Sequence, residues 1–533
     1  MEFELFEPKS EKDVPGGTVT RAKATCVACG AVLPPERVRA QLSAQRGGAD
    51  VVFDAKGRRT GGARMLAVVT LRSGEQGRDY RLPTERDYEP ISRAETRAKT
   101  ILDEWERSGK NTHCPFPDEP LRRVPVTFGV INVWVYGMNR WGDIYSCRQK
   151  TALEAFGRIQ RLAHERSVQH DQNAMALAVS RCSAFWSSLN MWVPQGEFVA
   201  NVFGRQAMPM VWDFCEVVPT STASGGFDGA IEWVARVAES LPATLRSGQV
   251  EHISADEQYL PDGSANVWFT DPPYYDAVPY SYIADFFYVW MKRALHDLHP
   301  SLFKTPLTPK EREMVAYVEG TGTAAEAYAR FEIRLAHAFE CGRRLLSEDG
   351  LGCVVFAHKT TEGWEALLSG LIGAGDRITA SWPIATERPG RLRSLNSATL
   401  SSSIHLVFRP RPDGAPVGDW ADVLRELPNR VADWMERLQG EGVRGADLVF
   451  ACIGPALEIY SRYAKVVDAE DREIPLGGDP AAADPYQRGY LAYVWEVVGR
   501  AALRQVLGED EGASGLEEDA RLGGWCFLCR LVD

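Results

Sequence analysis

A short apolar run, Val267-Trp268-Phe269, ends in Thr270 and then in Asp271-Pro272-Pro273-Tyr274. These residue types could do chemistry together. The carboxylate is a hydrogen-bond acceptor, and proline fixes φ, so the carbonyl of Pro272 is held in one direction. The Tyr274 ring presents a flat π-face to another aromatic group. The plain alternative is a proline-stiffened turn whose Asp caps a helix.

The surrounding elements decide whether the set can act. Beyond Gly248 the sequence alternates strand and helix. QVEHISAD and SANVWFT read as consecutive strands, and AYARFEIRLAHAFECGRRLL as a helix that runs into the turn SEDG. LGCVVFAHK is a buried strand and EGWEALLSGLIGAG a helix with a glycine stop. RITASWPIAT and SSSIHLVFRP are two further strands. This alternation implies βαβ units and a mainly parallel sheet, with ligands at the carboxyl edge of its strands. Asp271 falls on that edge. The expected organisation is a small β-rich module over residues 1–125 and a helical region over 126–247. The sheet region then covers 248–410, and a second helical region covers 411–533.

With 533 residues the chain is too long for a single core. Its start, MEFELFEPKSEKD, has no apolar core segment, and no run approaches the roughly 18 apolar residues of a membrane span. No membrane association is expected. Eleven cysteines, an odd number without a secretory signal, predict free thiols in a reducing, cytoplasmic setting. A net charge of -12 excludes a global basic field, so contact with nucleic acid must use local patches.

The strand-end Asp-Pro-Pro-Tyr resembles the catalytic loop of methyltransferases that act on amino groups of nucleic-acid bases. The segments TDPPYYDAVPYSYIADFFYVW, VVFAHKTTEGWEALL, FGRQAMPMVWDFCE, YGMNRWGDIYSCRQ and ACIGPALEIYSRY widen that likeness. Together they are similar to the zinc-ribbon-containing adenine-specific DNA methylases of prokaryotes, over most of residues 15–465. The resemblance implies an α/β fold with a Rossmann-like methyltransferase sheet, S-adenosylmethionine as methyl donor and adenine N6 in DNA as acceptor. It also implies a role in restriction or phage defence. An exocyclic amine is a poor nucleophile because its lone pair is delocalised into the ring. In this reading Asp271 and the Pro272 carbonyl accept its hydrogens and favour the pyramidal nitrogen that attacks. Pro273 stiffens the loop, and Tyr274 stacks on a base flipped out of the helix. Asp256 lies where such enzymes set a polar residue near the cofactor's adenine; the alternative is a strand-end turn acid. His358 and Lys359 end a later strand on the same edge, where a solvated strand end is the simpler reading.

Members of that family carry a glycine-rich cofactor loop, Asp-Pro-Phe-x-Gly-x-Gly, and this sequence has no such run. The nearest substitute is Phe450-Ala451-Cys452-Ile453-Gly454, with a single glycine; otherwise it is a helix start. The expectation is that the first half of the catalytic domain lies on another chain or has been lost. The alternative to a catalytic subunit is a non-catalytic or split DNA-binding subunit of a defence complex, which needs a partner chain to bind the cofactor.

Two cysteine pairs carry metal-ligand spacing. Cys26-Val-Ala-Cys29-Gly30 has the form of a zinc knuckle, with His113 and Cys114 as candidate further ligands. Cys526-Phe-Leu-Cys529 sits in an amphipathic segment and reads as buried thiols. For DNA contact, Arg388, Arg391 and Arg393 form the densest basic loop, after a sheet strand. Arg140, Trp141, Arg148 and Gln149 join planar donors to an aromatic ring. The stripe Phe286-Phe287-Tyr288-Trp290 reads as core.

Overall fold

The computed structural model describes residues 4–72, 77–123, 131–162, 169–204, 206–241, 246, 248–273, 278–316, 323–358, 361–386, 402–443 and 445–507. The chain is mixed α/β and divides into two compact units. Residues 1–250 join 278–313 in the first, and residues 251–277 join 314–533 in the second.

The first unit opens on short antiparallel pairings. Val19–Thr20, Lys23–Thr25 and Val32–Leu33 make a small three-stranded sheet, followed by the hairpins Val51–Phe53 with Arg59–Gly62 and Val68–Leu71 with Arg78–Arg81. Helices α1 (Glu85–Arg107), α2 (Cys147–Leu162), α3 (Gln169–Ser183) and α4 (Tyr280–Leu295) follow. On α1 the residues Ile91, Ala98 and Ile101 are buried at helical spacing, and Phe116 packs against the last two. On α4 the fully buried Phe286 meets Trp141 edge-on at 6.4 Å, and Trp290 meets Tyr145 at 5.4 Å. The aromatic stripe is therefore core at Phe286 and Trp290, with Phe287 and Tyr288 half-buried. It also explains why α4 belongs with the first unit, although its sequence lies inside the expected sheet region: its apolar face is used up by residues 141–145. The end of α4 is fixed by charge. Arg293 donates to the Cys114 carbonyl at 2.7 Å and to Glu119 at 2.9 Å, and Lys292 pairs with the same Glu119 at 2.5 Å.

In the second unit the order along the chain is β1 (Ala265–Thr270), α5 (Ala324–Leu345), β2 (Leu346–Phe356), α6 (Thr361–Gly373), β3 (Asp376–Ile384) and β4 (Ser403–Pro410). The sheet order is β1-β2-β4-β3. β1 and β2 pair in parallel, while β4 runs antiparallel to both of its neighbours, β2 and β3. Three strands therefore share one direction, and the last strand inserts between the second and third. SEDG, expected as a turn, is part of β2. The register jumps there from Ala265 opposite Leu346 to Val267 opposite Leu351, so the extra residues form a bulge.

Alternation along the strands divides the sheet into two faces. Val354, Phe356, Ile404, Leu406 and Phe408 are buried on one, with Trp268 packed beside them. Trp268 meets Phe339 of α5 at 6.0 Å, and Phe356 meets Trp364 of α6 at 5.0 Å. Gly342 makes the first contact possible, since a side chain there would overlap the Trp268 ring. Helices α7 (Trp420–Gly440), α8 (Gly445–Ala451), α9 (Ile453–Ser461) and α10 (Tyr490–Leu507) complete the same core. On the other face Val267 and Phe269 are each 62% exposed.

Residues 249–256, expected as a strand, form none. Among the described residues no strand pairs with the outer edge of β1, and this segment does not add to it. Val250 is 98% exposed, as an apolar strand residue is when its sheet neighbours are lacking.

Candidate functional site

Because β1 and β2 are parallel, Asp271-Pro272-Pro273 and Ala357-His358 leave the sheet on one edge. β4 runs the other way and starts there, with Ile404 opposite Phe356. Pro272 is buried and Asp271 exposed. Tyr274 and Lys359 lie outside the described residues. His358 is not a solvated strand end. It is 6% exposed, stacked on Phe356 at 6.1 Å, and its carbonyl accepts from the Trp364 indole at 3.0 Å.

A residue that sequence reading missed joins this edge. Thr270 is opposite Val354 on β2, and Val355 is opposite His405 on β4. Asp271, Val355 and His405 therefore follow one another across the open face of the sheet. The His405 ring stands edge-on to Phe269, with centroids 6.1 Å apart. Partial burial raises the Asp271 carboxyl above the usual carboxylate range, and His405 opposes that rise. Burial pushes the His405 imidazole down, and Asp271 pulls it back up. The signal was in the strand SIHLVFRP, where a histidine takes an open-face position between two buried aliphatics.

The other candidates separate. Asp256 pairs with Arg334 at 2.9 Å and accepts from Ser254, and the guanidinium holds its carboxyl down at about 2. Gly454 is not in a loop. It lies in α9, fully buried, where a Cβ would overlap Ser381 of β3. The glycine serves close helix–strand packing, which corrects its reading as a cofactor loop. In the first unit Arg148 pairs with Glu216, Trp141 and Gln149 are buried, and Arg140 is exposed. Arg388, Arg391, Arg393, Cys526 and Cys529 lie outside the described residues.

Cys26 and Cys29 face each other on a tight turn. The Gly30 amide donates to the Cys26 carbonyl at 2.9 Å, with Gly30 at φ +71°. The amides of Ala28 and Cys29 lower the Cys26 thiol. This donor set fits half of a tetrahedral zinc site. Among the described residues no three His, Cys, Asp or Glu side chains gather as metal ligands, so His113 and Cys114 do not complete it. Those two instead line a cavity of about 310 Å³ with Arg161, Trp290, Arg293 and His296.

Among the described residues no helix is long and apolar enough to cross a membrane. Comparison with family models, with curated proteins and with solved structures gives no match to this chain.

Proposed function

We propose that the second unit is the target-amine half of an S-adenosylmethionine-dependent methyltransferase acting on adenine N6 in DNA, in a restriction or phage-defence setting. The observation that carries this reading is Asp271-Pro272-Pro273 at the carboxyl end of a strand in a parallel pair, with Asp271 exposed and Pro272 buried. Strands of one direction alternating with α5 and α6 support a Rossmann-like sheet. Asp271 accepts an amine hydrogen and the Pro272 carbonyl a second, which draws the nitrogen lone pair out of conjugation. Tyr274 takes the flipped base by stacking. S-adenosylmethionine supplies an electrophilic methyl carbon when bound. The described residues do not fit its methionine end: Gly454 is packed against Ser381, and Asp256 is tied to Arg334. No step of donor binding is therefore assigned to them. Arg388, Arg391, Arg393 and Arg140 are proposed DNA contacts; Arg148, already paired with Glu216, is a weaker one. Zinc on Cys26 and Cys29 would need ligands beyond the described set.

A second reading, a subunit completed by a partner chain, is favoured by the outer edge of β1, which pairs with no strand among the described residues, and by Val267 and Phe269, each 62% exposed. Parallel strands are ordinarily covered on both faces. Calorimetric titration with S-adenosylmethionine tests both. Binding only after a partner carrying the glycine-rich loop is added supports a split enzyme. Absence of binding under either condition removes the catalytic reading.

A further inference from the structure

We propose that the cavity of about 310 Å³ in the first unit binds a small zwitterion, a free amino acid with an apolar side chain, its ammonium on Glu154 and its carboxylate on Arg161. The site is independent of the methyltransferase reading. Both charges stand on α2, seven residues and so two helical turns apart, which puts them on one face. Gly157, on the same face between them, lines the cavity as well. A Cβ there would lie 3.8 Å from Arg161 Nη1, so a longer side chain would fill the space that separates the charges.

Both groups have bonding capacity to spare. Glu154 is 9% exposed, and among the described residues it forms neither a hydrogen bond nor an ion pair. Burial raises its carboxyl, and the guanidiniums of Arg161, Arg158 and Arg97 oppose that rise from a distance. A carboxylate taken out of water without a donor is destabilising, and a ligand ammonium would offset that cost. Arg161, exposed in the last turn of α2, donates from Nη1 to the Arg293 carbonyl at 2.7 Å. That bond anchors the guanidinium and leaves Nε and Nη2 as a fork that matches a carboxylate. Arg293 does not compete, because its donors already go to the Cys114 and Phe116 carbonyls and to Glu119. Leu153, Val179 and Trp290 are buried and give the cavity an apolar wall. His113 and His296, edge-on at 4.6 Å, line another side. The volume is at the small end of ligand sites, which suits a single amino acid.

Calorimetric titration of the full chain tests this with three probes: L-phenylalanine, phenethylamine, which keeps only the ammonium, and hydrocinnamate, which keeps only the carboxylate. L-Phenylalanine should bind at one site, and each single-charge probe at least about tenfold more weakly. Glu154→Gln should weaken L-phenylalanine by about tenfold or more and leave hydrocinnamate unchanged. Arg161→Gln should weaken L-phenylalanine by as much and leave phenethylamine unchanged. Arg161 is exposed, so its variant keeps the test open should Glu154→Gln fail to fold. Absence of binding by both L-phenylalanine and L-leucine overturns the proposal. So does a single-charge probe that binds as tightly as L-phenylalanine, or a folded Arg161→Gln protein that keeps wild-type affinity for it.

Discussion

Gly454 of α9 lies directly against Ser381 of β3, so close that the glycine's missing side chain is the space the serine fills. Both residues are fully buried. Gly454→Ala should therefore destabilise the second unit by about 1–3 kcal/mol through overpacking. Thermal or denaturant unfolding reads this. If Gly454 held the methyl donor instead, the substitution would leave stability alone and weaken donor binding.

Asp376, at the start of β3, is fully buried, and neither carboxylate oxygen has a hydrogen bond. Arg343 Nε is 3.8 Å away, within ion-pair range but beyond hydrogen-bond reach. Burial raises the carboxyl to about 7, against an opposing pull from Arg343 and Arg411. The folded chain thus holds this proton at pH values where the unfolded chain, titrating near 3.8, has lost it. Its contribution to stability is complete below about pH 4 and is lost as pH rises towards 7. Asp376→Asn should be about 1–3 kcal/mol more stable than wild type at pH 8 and equal to it at pH 4. Denaturant melts at the two pH values check this.

Much of the second unit was legible. Val267-Trp268-Phe269 followed by Asp-Pro-Pro can only stop a strand, and the helix and strand that come next follow their own apolar periods. What escaped depends on partners that local pattern does not name. QVEHISAD has the composition of a strand, but composition does not say whether a segment pairs, and this one makes no ladder. Gly454 and a loop glycine look alike until Ser381 is seen beside it. The aromatics of α4 announced burial without saying which unit they would be buried in. His405 was visible as a letter in a strand. Its meaning came from the insertion of β4 next to β2, which brings it into the row of Asp271.

Val267 and Phe269 should matter more for assembly than for folding. Replacing both with serine is expected to leave the melting temperature of the isolated chain within about a degree or two, since exposed sites change stability by only some 0.5 kcal/mol. The same double variant should lose complementation by a partner that carries the missing loop. Co-purification and donor binding measure it; full complementation would show that this face is not the joint.

Cys26 should be the most reactive thiol of the described set. Backbone amides lower it, whereas burial pushes Cys182 and Cys452 up to about 12. Timed alkylation with mass spectrometry should label Cys26 first and those two last. Zinc added beforehand should protect Cys26 and Cys29 together if the knuckle takes metal. Equal labelling of all three would contradict the amide contacts around Cys26.

The central claim, that the edge bearing Asp271 handles a base amine, is tested most directly by methyl transfer to DNA. Wild type, supplied with labelled S-adenosylmethionine and with a partner that restores donor binding, should convert adenine to N6-methyladenine. Asp271→Ala should keep the fold, the melting temperature and donor binding, and should lose transfer by at least about a hundredfold. An Asp271→Ala protein that methylates at the wild-type rate would contradict the claim.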